Sequence, residues 1–160
     1  MDVDGVLTDG KIVIDHKGYE TKYFDVQDGL GIVILRRAGF KTAIISARAA
    51  GAVVARAKDL KIDKVYQDAY PKLNAFRSFL KDFRLKKEEV CFIGDDVPDI
   101  CVFKEVGFAV SVPNGTIDAK RYAHYITQKK GGEGAIREVI ELILNVQGRW
   151  DTLVQRMVHP

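Results

Sequence analysis

The chain has 160 residues, 47% of them hydrophobic, and sets 25 Lys and Arg against 22 Asp and Glu for a formal net charge of +3. That length and apolar content suit one globular domain over residues 1–160, large enough for a real core. The basic residues are scattered among the acids with no long basic block and no interleaved aromatics, so no nucleic acid and no membrane surface is expected as a partner.

The chain opens on Asp2-Val3-Asp4-Gly5-Val6-Leu7-Thr8-Asp9-Gly10. At a strand end, the i, i+2 spacing sends the Asp2 and Asp4 side chains to the same side. Like charges held that close repel, and a divalent cation is the usual remedy. A polar turn is the alternative that this pair alone leaves open. A strand bearing such carboxylates normally has several apolar residues ahead of them, and only Met1 precedes Asp2. Either part of that first strand is therefore expected to lie outside the numbered chain, or a disordered leader was trimmed from it.

Two alternating runs, 11–15 and 21–25, joined by a Gly-containing connection, predict a β-hairpin. From Asp28 the pattern turns helical and stops at Gly39. A strand over 42–46, a helix over 49–60, a short strand over 64–66 and a helix over 71–83 follow. The apolar run 90–94 predicts a strand buried on both faces of a parallel sheet. The next helix begins at Asp96 or Pro98, with Pro98 suited to a first turn. A strand over 108–111, a helix over 115–122, a short strand over 125–127 and a helix over 133–146 complete the alternation. The tail, 148–160, is less regular and holds the single Trp, Trp150.

Cys91 and Cys101 stand in apolar surroundings outside any Cys/His cluster, which reads as buried free thiols of a reducing compartment. With no apolar stretch of membrane-spanning length and no signal peptide before the acidic start, a cytoplasmic location is expected. The strand-helix alternation implies right-handed crossovers and an α/β fold, a doubly wound parallel sheet with the 11–25 hairpin inserted.

Ligands of such sheets bind beyond the carboxyl ends of the strands. The polar residues standing there are Asp2 and Asp4, Ser46, and Asp95, Asp96 and Asp99, with Lys72 at a helix start. They match what attack on a phosphomonoester requires: a nucleophile, a clamp for the phosphoryl oxygens, a proton donor for the leaving alkoxide, and a metal to offset repulsion between carboxylate and phosphate. Asp2 is the candidate nucleophile and Asp4 the candidate acid and base. Asp95 completes an oxygen-rich Mg²⁺ site with Asp2 and the backbone carbonyl of Asp4. Ser46 donates to a phosphoryl oxygen, and Lys72 neutralises charge on the phosphate and on Asp2.

Asp2-x-Asp4-Gly5-x-x-x-Asp9, Ile45-Ser46, Pro71-Lys72 and Gly94-Asp95-Asp96-x-x-Asp99, in that order, resemble the motifs of the haloacid dehalogenase superfamily of phosphotransferases. Asp2 to Gly10, Phe24 to Ile32 and Gly131 to Glu138 further resemble one subgroup. It contains the phosphatases of 3-deoxy-D-manno-octulosonate (KDO) 8-phosphate and relatives acting on nine-carbon, sialic-type sugar phosphates. The resemblance covers the chain from Asp2 to about Gly148. It implies a Rossmann-like core with no large cap domain, a hairpin that builds a homotetramer, and a neighbouring subunit or the tail that helps to close the site.

Within that subgroup the residue two after the motif-two hydroxyl bears on substrate choice, and here it is Arg48. A guanidinium suits the carboxylate of a sugar acid, which favours the eight-carbon substrate; the sialic-type relatives tend to carry an acid there. Ala47 stands where many relatives have Gly and is expected to tighten the loop.

Blander readings stand beside these. Asp96 and Asp99 suffice as a cap and first-turn acids of a helix; the other reading has both support the site from behind, Asp96 beside Asp95 and Asp99 by orienting Lys72. Lys72 alone reads as a solvated helix lysine, and Arg48 alone as the partner of a nearby acid. Thr8 and Asp9 either touch substrate or form the turn into the hairpin. His16, His124 and His159 fit no metal or triad spacing. Besides the KDO 8-phosphate phosphatase, two alternatives are carried: a nine-carbon sugar acid phosphatase, and a non-catalytic tetramerising module.

Overall fold

The computed structural model describes residues 1–159. The hairpin forms, with ladders of two residues each, β1 (Val13–Ile14) and β2 (Glu20–Thr21), pairing Val13 with Thr21. Helix α1 (Val26–Arg37) begins two residues before the expected Asp28. The reason is Asp25, whose carboxylate accepts from the backbone N–H groups of Gln27 and Asp28 at 2.7 and 3.0 Å and so caps the helix.

Then come β3 (Ala43–Ile45), α2 (Gly51–Asp59), β4 (Lys64–Tyr66), α3 (Lys72–Phe83), β5 (Cys91–Ile93), α4 (Ile100–Phe103), β6 (Phe108–Ser111), α5 (Ile117–Tyr122), β7 (Tyr125–Ile126) and α6 (Ala135–Val146). Strands β3 and β4 pair in parallel, as do β5, β6 and β7. The opening residues join the two groups. Ile45 N–H donates to Met1 O at 3.0 Å, and Asp2 N–H donates to Ile93 O at 2.9 Å. The resulting order is β4, β3, residues 1–3, β5, β6, β7. The chain leaves the centre in one direction and returns to build the other, so the switch point falls beside Asp2.

Alternation across the sheet divides the core. Ile44, Ile93 and Val110 face a cluster with Ile32, Val53, Ile136 and Ile140. Their neighbours Ile45, Phe92 and Ala109 face the opposite cluster with Phe76, Val102 and Phe103. Both faces are covered, which explains the unbroken apolar runs in the central strands.

The tail is more regular than its sequence suggested. Trp150–Val158 forms helix α7, with Trp150, Leu153 and Met157 at helical spacing against the core. Arg137 lies over the Trp150 ring at 4.8 Å. Among the described residues, no helix is long and apolar enough to cross a membrane. A cavity of about 510 Å³ opens at the amino ends of β3 and β5, walled mainly by apolar side chains such as Phe76, Phe79 and Ile140.

Asp28 fastens α1 to α6, accepting from Arg137 N–H at 2.8 Å while only 1% exposed. Burial pushes its carboxyl up to about 6, against the pull of the Arg137 N–H and with a small push from Asp25. A raised carboxyl favours the protonated fold. Its contribution is complete below the unfolded value near 4 and is lost as pH rises through about 6, roughly 3 kcal/mol in all. Asp28→Asn should therefore raise the melting temperature little at pH 4 and by several degrees at pH 8. A melting difference that does not change with pH would contradict this reading.

Candidate active site

The carboxyl ends of the central strands enclose a cleft of about 240 Å³ lined by Asp2, Asp4, Ser46, Arg48, Lys72, Asp95, Asp96 and Asp99 among others. The strand-end residues singled out in the sequence, Lys72 and Arg48 all line this cleft, whereas Thr8 and Asp9 do not. The nearby glycines explain how the backbone approaches so closely. Gly5 has φ +91°, and a Cβ on it would lie 2.1 Å from the Asp95 carboxylate.

Lys72 anchors the floor. Its ammonium lies 2.9 Å from Asp2 Oδ1 and 2.6 Å from Asp99 Oδ1, with the side chain 2% exposed. Burial alone would lower its proton affinity, but Asp2 and Asp99 outweigh it and leave the lysine raised. The other Asp99 oxygen accepts from the N–H groups of Asp95 and Asp96 at 2.9 and 3.2 Å. Asp99 therefore both orients Lys72 and shapes the turn that presents Asp95. Asp96 accepts from Val97 N–H at 2.7 Å, the capping arrangement expected of it.

Oxygens of Asp2, Asp95 and Asp99 lie within 4.8 Å of one another. Burial raises both Asp2 and Asp95; for Asp2 the charge of Asp99 adds to this against Lys72, and for Asp95 the charges of Asp2 and Asp99 add. Asp95 Oδ1 is buried with no hydrogen-bond partner. Crowded carboxylates with an unsatisfied oxygen are the donor set that suits a hard divalent cation such as Mg²⁺. Asp99 is already engaged on both oxygens, which leaves Asp2 and Asp95 as the side chains able to hold it.

Ser46 is buried, and its hydroxyl oxygen accepts from Arg48 N–H at 3.2 Å, leaving its own proton free to donate into the cleft. Thr8 is turned to another use. Its buried hydroxyl accepts from Gly10 N–H at 3.2 Å and Gly5 N–H at 3.4 Å and donates to Val3 O at 3.4 Å. Of the two readings of Thr8 the geometry favours the turn over substrate contact. Asp9 likewise caps the turn, accepting from Lys11 N–H at 3.0 Å.

The Asp4 carboxylate is not among the oxygens of the cluster formed by Asp2, Asp95 and Asp99, so any part Asp4 takes there falls to its backbone carbonyl. Asp4 Oδ1 pairs closely with the Lys22 ammonium, and Oδ2 lies 3.8 Å from Arg48 Nε. Lys22 also meets Glu20 Oε1 at 2.6 Å, and Glu20 Oε2 accepts from Arg48 Nη2 at 3.0 Å. The hydrogen bond from Lys22, then that from Arg48, holds the Glu20 carboxyl below its usual range.

Glu20 and Lys22 were missed in the sequence: Glu20 was read as part of the connection, whereas it opens β2, and the period of two then places it on one face with Lys22. Asn114 was missed as well. Its side-chain amide donates to Gly5 O at 2.8 Å and accepts from Gly131 N–H at 2.8 Å, tying the last loop to the Asp2–Gly10 turn.

Comparison with known proteins shows the family to which the chain belongs. Residues 45–140 match the model of the haloacid dehalogenase-like hydrolase family. The chain is 41% identical over 148 residues to the 3-deoxy-D-manno-octulosonate 8-phosphate phosphatase KdsC of Yersinia pestis, covering 92% of this chain and 79% of that one. It superposes with a TM-score of 0.95, at 43% identity, on the phosphatase of that name from Moraxella catarrhalis, solved with magnesium, phosphate and KDO; the match covers 98% of this chain and 90% of that one. The cobalt-bound enzyme of Haemophilus influenzae superposes with a TM-score of 0.89 at 35% identity, covering 92% and 86%. By fold, motif order and identity the chain belongs to the haloacid dehalogenase-like hydrolases, in the family of the 3-deoxy-D-manno-octulosonate 8-phosphate phosphatases.

Proposed function

We propose that the chain acts as a single-domain, Mg²⁺-dependent phosphomonoester hydrolase that releases phosphate from KDO 8-phosphate. The observation that carries this reading is the convergence of Asp2, Ser46, Lys72 and Asp95 in one cleft with Arg48 at its mouth. A purely structural module has no use for that set.

Asp2 attacks phosphorus while the bond from phosphorus to the sugar oxygen breaks, and the leaving alkoxide takes a proton from Asp4. The resulting aspartyl-phosphate is then attacked by water, whose proton returns to Asp4, freeing inorganic phosphate and the Asp2 carboxylate. Lys72 and Ser46 hold the phosphoryl oxygens, and Lys72 keeps Asp2 aimed along the line of attack. Asp2, Asp95 and the carbonyl of Asp4 would hold Mg²⁺, and its positive charge would offset the repulsion between carboxylate and phosphate.

The same reading places the enzyme in the cytoplasm, in the supply of sugar acid for lipopolysaccharide. It also makes it a homotetramer whose hairpin lies between subunits. Ile12, Val13 and Ile14 on the hairpin are 48%, 41% and 60% exposed, an apolar edge that suits burial against another subunit.

Phosphate release should be abolished by EDTA and restored by added Mg²⁺. Wild type should prefer the eight-carbon acid phosphate to the nine-carbon one by kcat/KM, and Arg48→Glu should lower kcat/KM for the former about 10- to 100-fold. A clear wild-type preference for the nine-carbon acid would contradict the substrate assignment.

A further inference from the structure

The mouth of the cleft carries a row of alternating charges that the phosphoryl chemistry alone does not explain. In order it runs Asp4, Lys22, Glu20, Arg48, linked at the distances given above. Two of these groups come from one short segment of the hairpin. The Lys22 side chain is 1% exposed and that of Glu20 16%, whereas Arg48 is 47% exposed. The enclosed members of the row are therefore the hairpin residues, and Arg48 is the one most open to solvent and to a ligand.

The geometry points to Glu20 as a positioning residue that sets specificity for substrates bearing a carboxylate, acting through Arg48. Arg48 has one alternative partner within reach. Its Nε lies 3.8 Å from Asp4 Oδ2, and removal of Glu20 would leave Asp4 as the nearest carboxylate for the guanidinium. Arg48 drawn onto Asp4 would be taken from the substrate and would crowd the oxygen that handles the proton. Glu20 engages Nη2 alone, which leaves the other guanidinium donors free for an incoming carboxylate.

Lys22, wedged between Asp4 and Glu20, fixes the distance between those two carboxylates. A group that orients a binding residue in this way contributes to recognition only when the ligand carries the matching charge. The inference rests on the sugar-acid reading of the site given above.

The test compares kcat/KM for KDO 8-phosphate with kcat/KM for p-nitrophenyl phosphate, which has no carboxylate. The proteins are wild type, Glu20→Ala, Arg48→Ala and the double variant, with Glu20→Gln as the variant that keeps side-chain shape. The ratio of the two values should fall roughly tenfold in Glu20→Ala, and Glu20→Ala should lower it by less than about twofold further when Arg48 is already Ala. KM for the sugar acid should carry most of that fall.

A fall shared equally by both substrates in Glu20→Ala and Glu20→Gln would assign Glu20 a merely structural role and overturn the inference. So would an undiminished effect of Glu20→Ala in the Arg48→Ala background. A ratio moved by Arg48→Ala and unmoved by either Glu20 variant overturns this inference alone. A ratio unmoved by Arg48→Ala overturns the sugar-acid reading and this inference with it.

Discussion

Asp2→Asn is expected to lower kcat by at least about 10⁴-fold while leaving the fold intact, the scale of loss seen when an enzyme nucleophile is removed. The amide is a poor nucleophile and cannot form the acyl phosphate. It also removes one of the charges that press on Asp95 and one of the partners of Lys72. The loss should appear equally with KDO 8-phosphate and with p-nitrophenyl phosphate, because Asp2 meets phosphorus and not the sugar. Phosphate release by continuous assay and folding by circular dichroism check both halves of the expectation. Activity within tenfold of wild type would refute the assignment of Asp2.

Lys72→Met should show the second largest effect, and on stability as well as rate. The lysine sits between two buried carboxylates, at 2.9 Å from Asp2 and 2.6 Å from Asp99. Removing one member of such a pair leaves the others buried and uncompensated, at a cost of about 3–5 kcal/mol in unfolding free energy. Activity should fall by about 10²- to 10³-fold through loss of the charge that meets the phosphoryl oxygens. Because Asp99 also accepts from Asp95 and Asp96, the turn that presents Asp95 should loosen too. Urea unfolding at pH 7 and kcat on the same preparations measure the two effects. A variant as stable as wild type would mean that Lys72 does not hold the floor of the site.

Much of the fold was legible because the central strands are buried on both faces. Short apolar runs such as Val90 to Ile93, stopped by Gly94, read as strands by their length and flanks. The positions of Ser46 and Asp95 follow from where such runs end, and Lys72 is marked by Pro71 at a helix start. The start of α1 was harder to place, since Asp25 caps the helix from the end of a run that also reads as strand. Helix α7 was obscured by its polar face, although Trp150, Leu153 and Met157 keep the helical period. The mouth of the cleft was the least legible part. Glu20, Lys22 and Arg48 meet there from segments distant in sequence, and nothing local marks a Glu that holds an Arg instead of solvent. Asn114 escaped for the same reason, since both of its partners are backbone groups of other loops.

The central claim is a phosphoryl group carried on Asp2. Asp4→Asn lacks the base that activates water, so hydrolysis of the intermediate should be slowed more than its formation from the activated ester p-nitrophenyl phosphate. Acid quenching of Asp4→Asn mixed with that ester and Mg²⁺, followed by peptide mass spectrometry, reads the modified residue directly. The account predicts a phosphorylated peptide containing residues 1–10 with the group on Asp2. It also predicts no such peptide from Asp2→Asn treated in parallel. A phosphoryl group on any other residue, or turnover by wild type with no covalent intermediate trapped in Asp4→Asn, would contradict it.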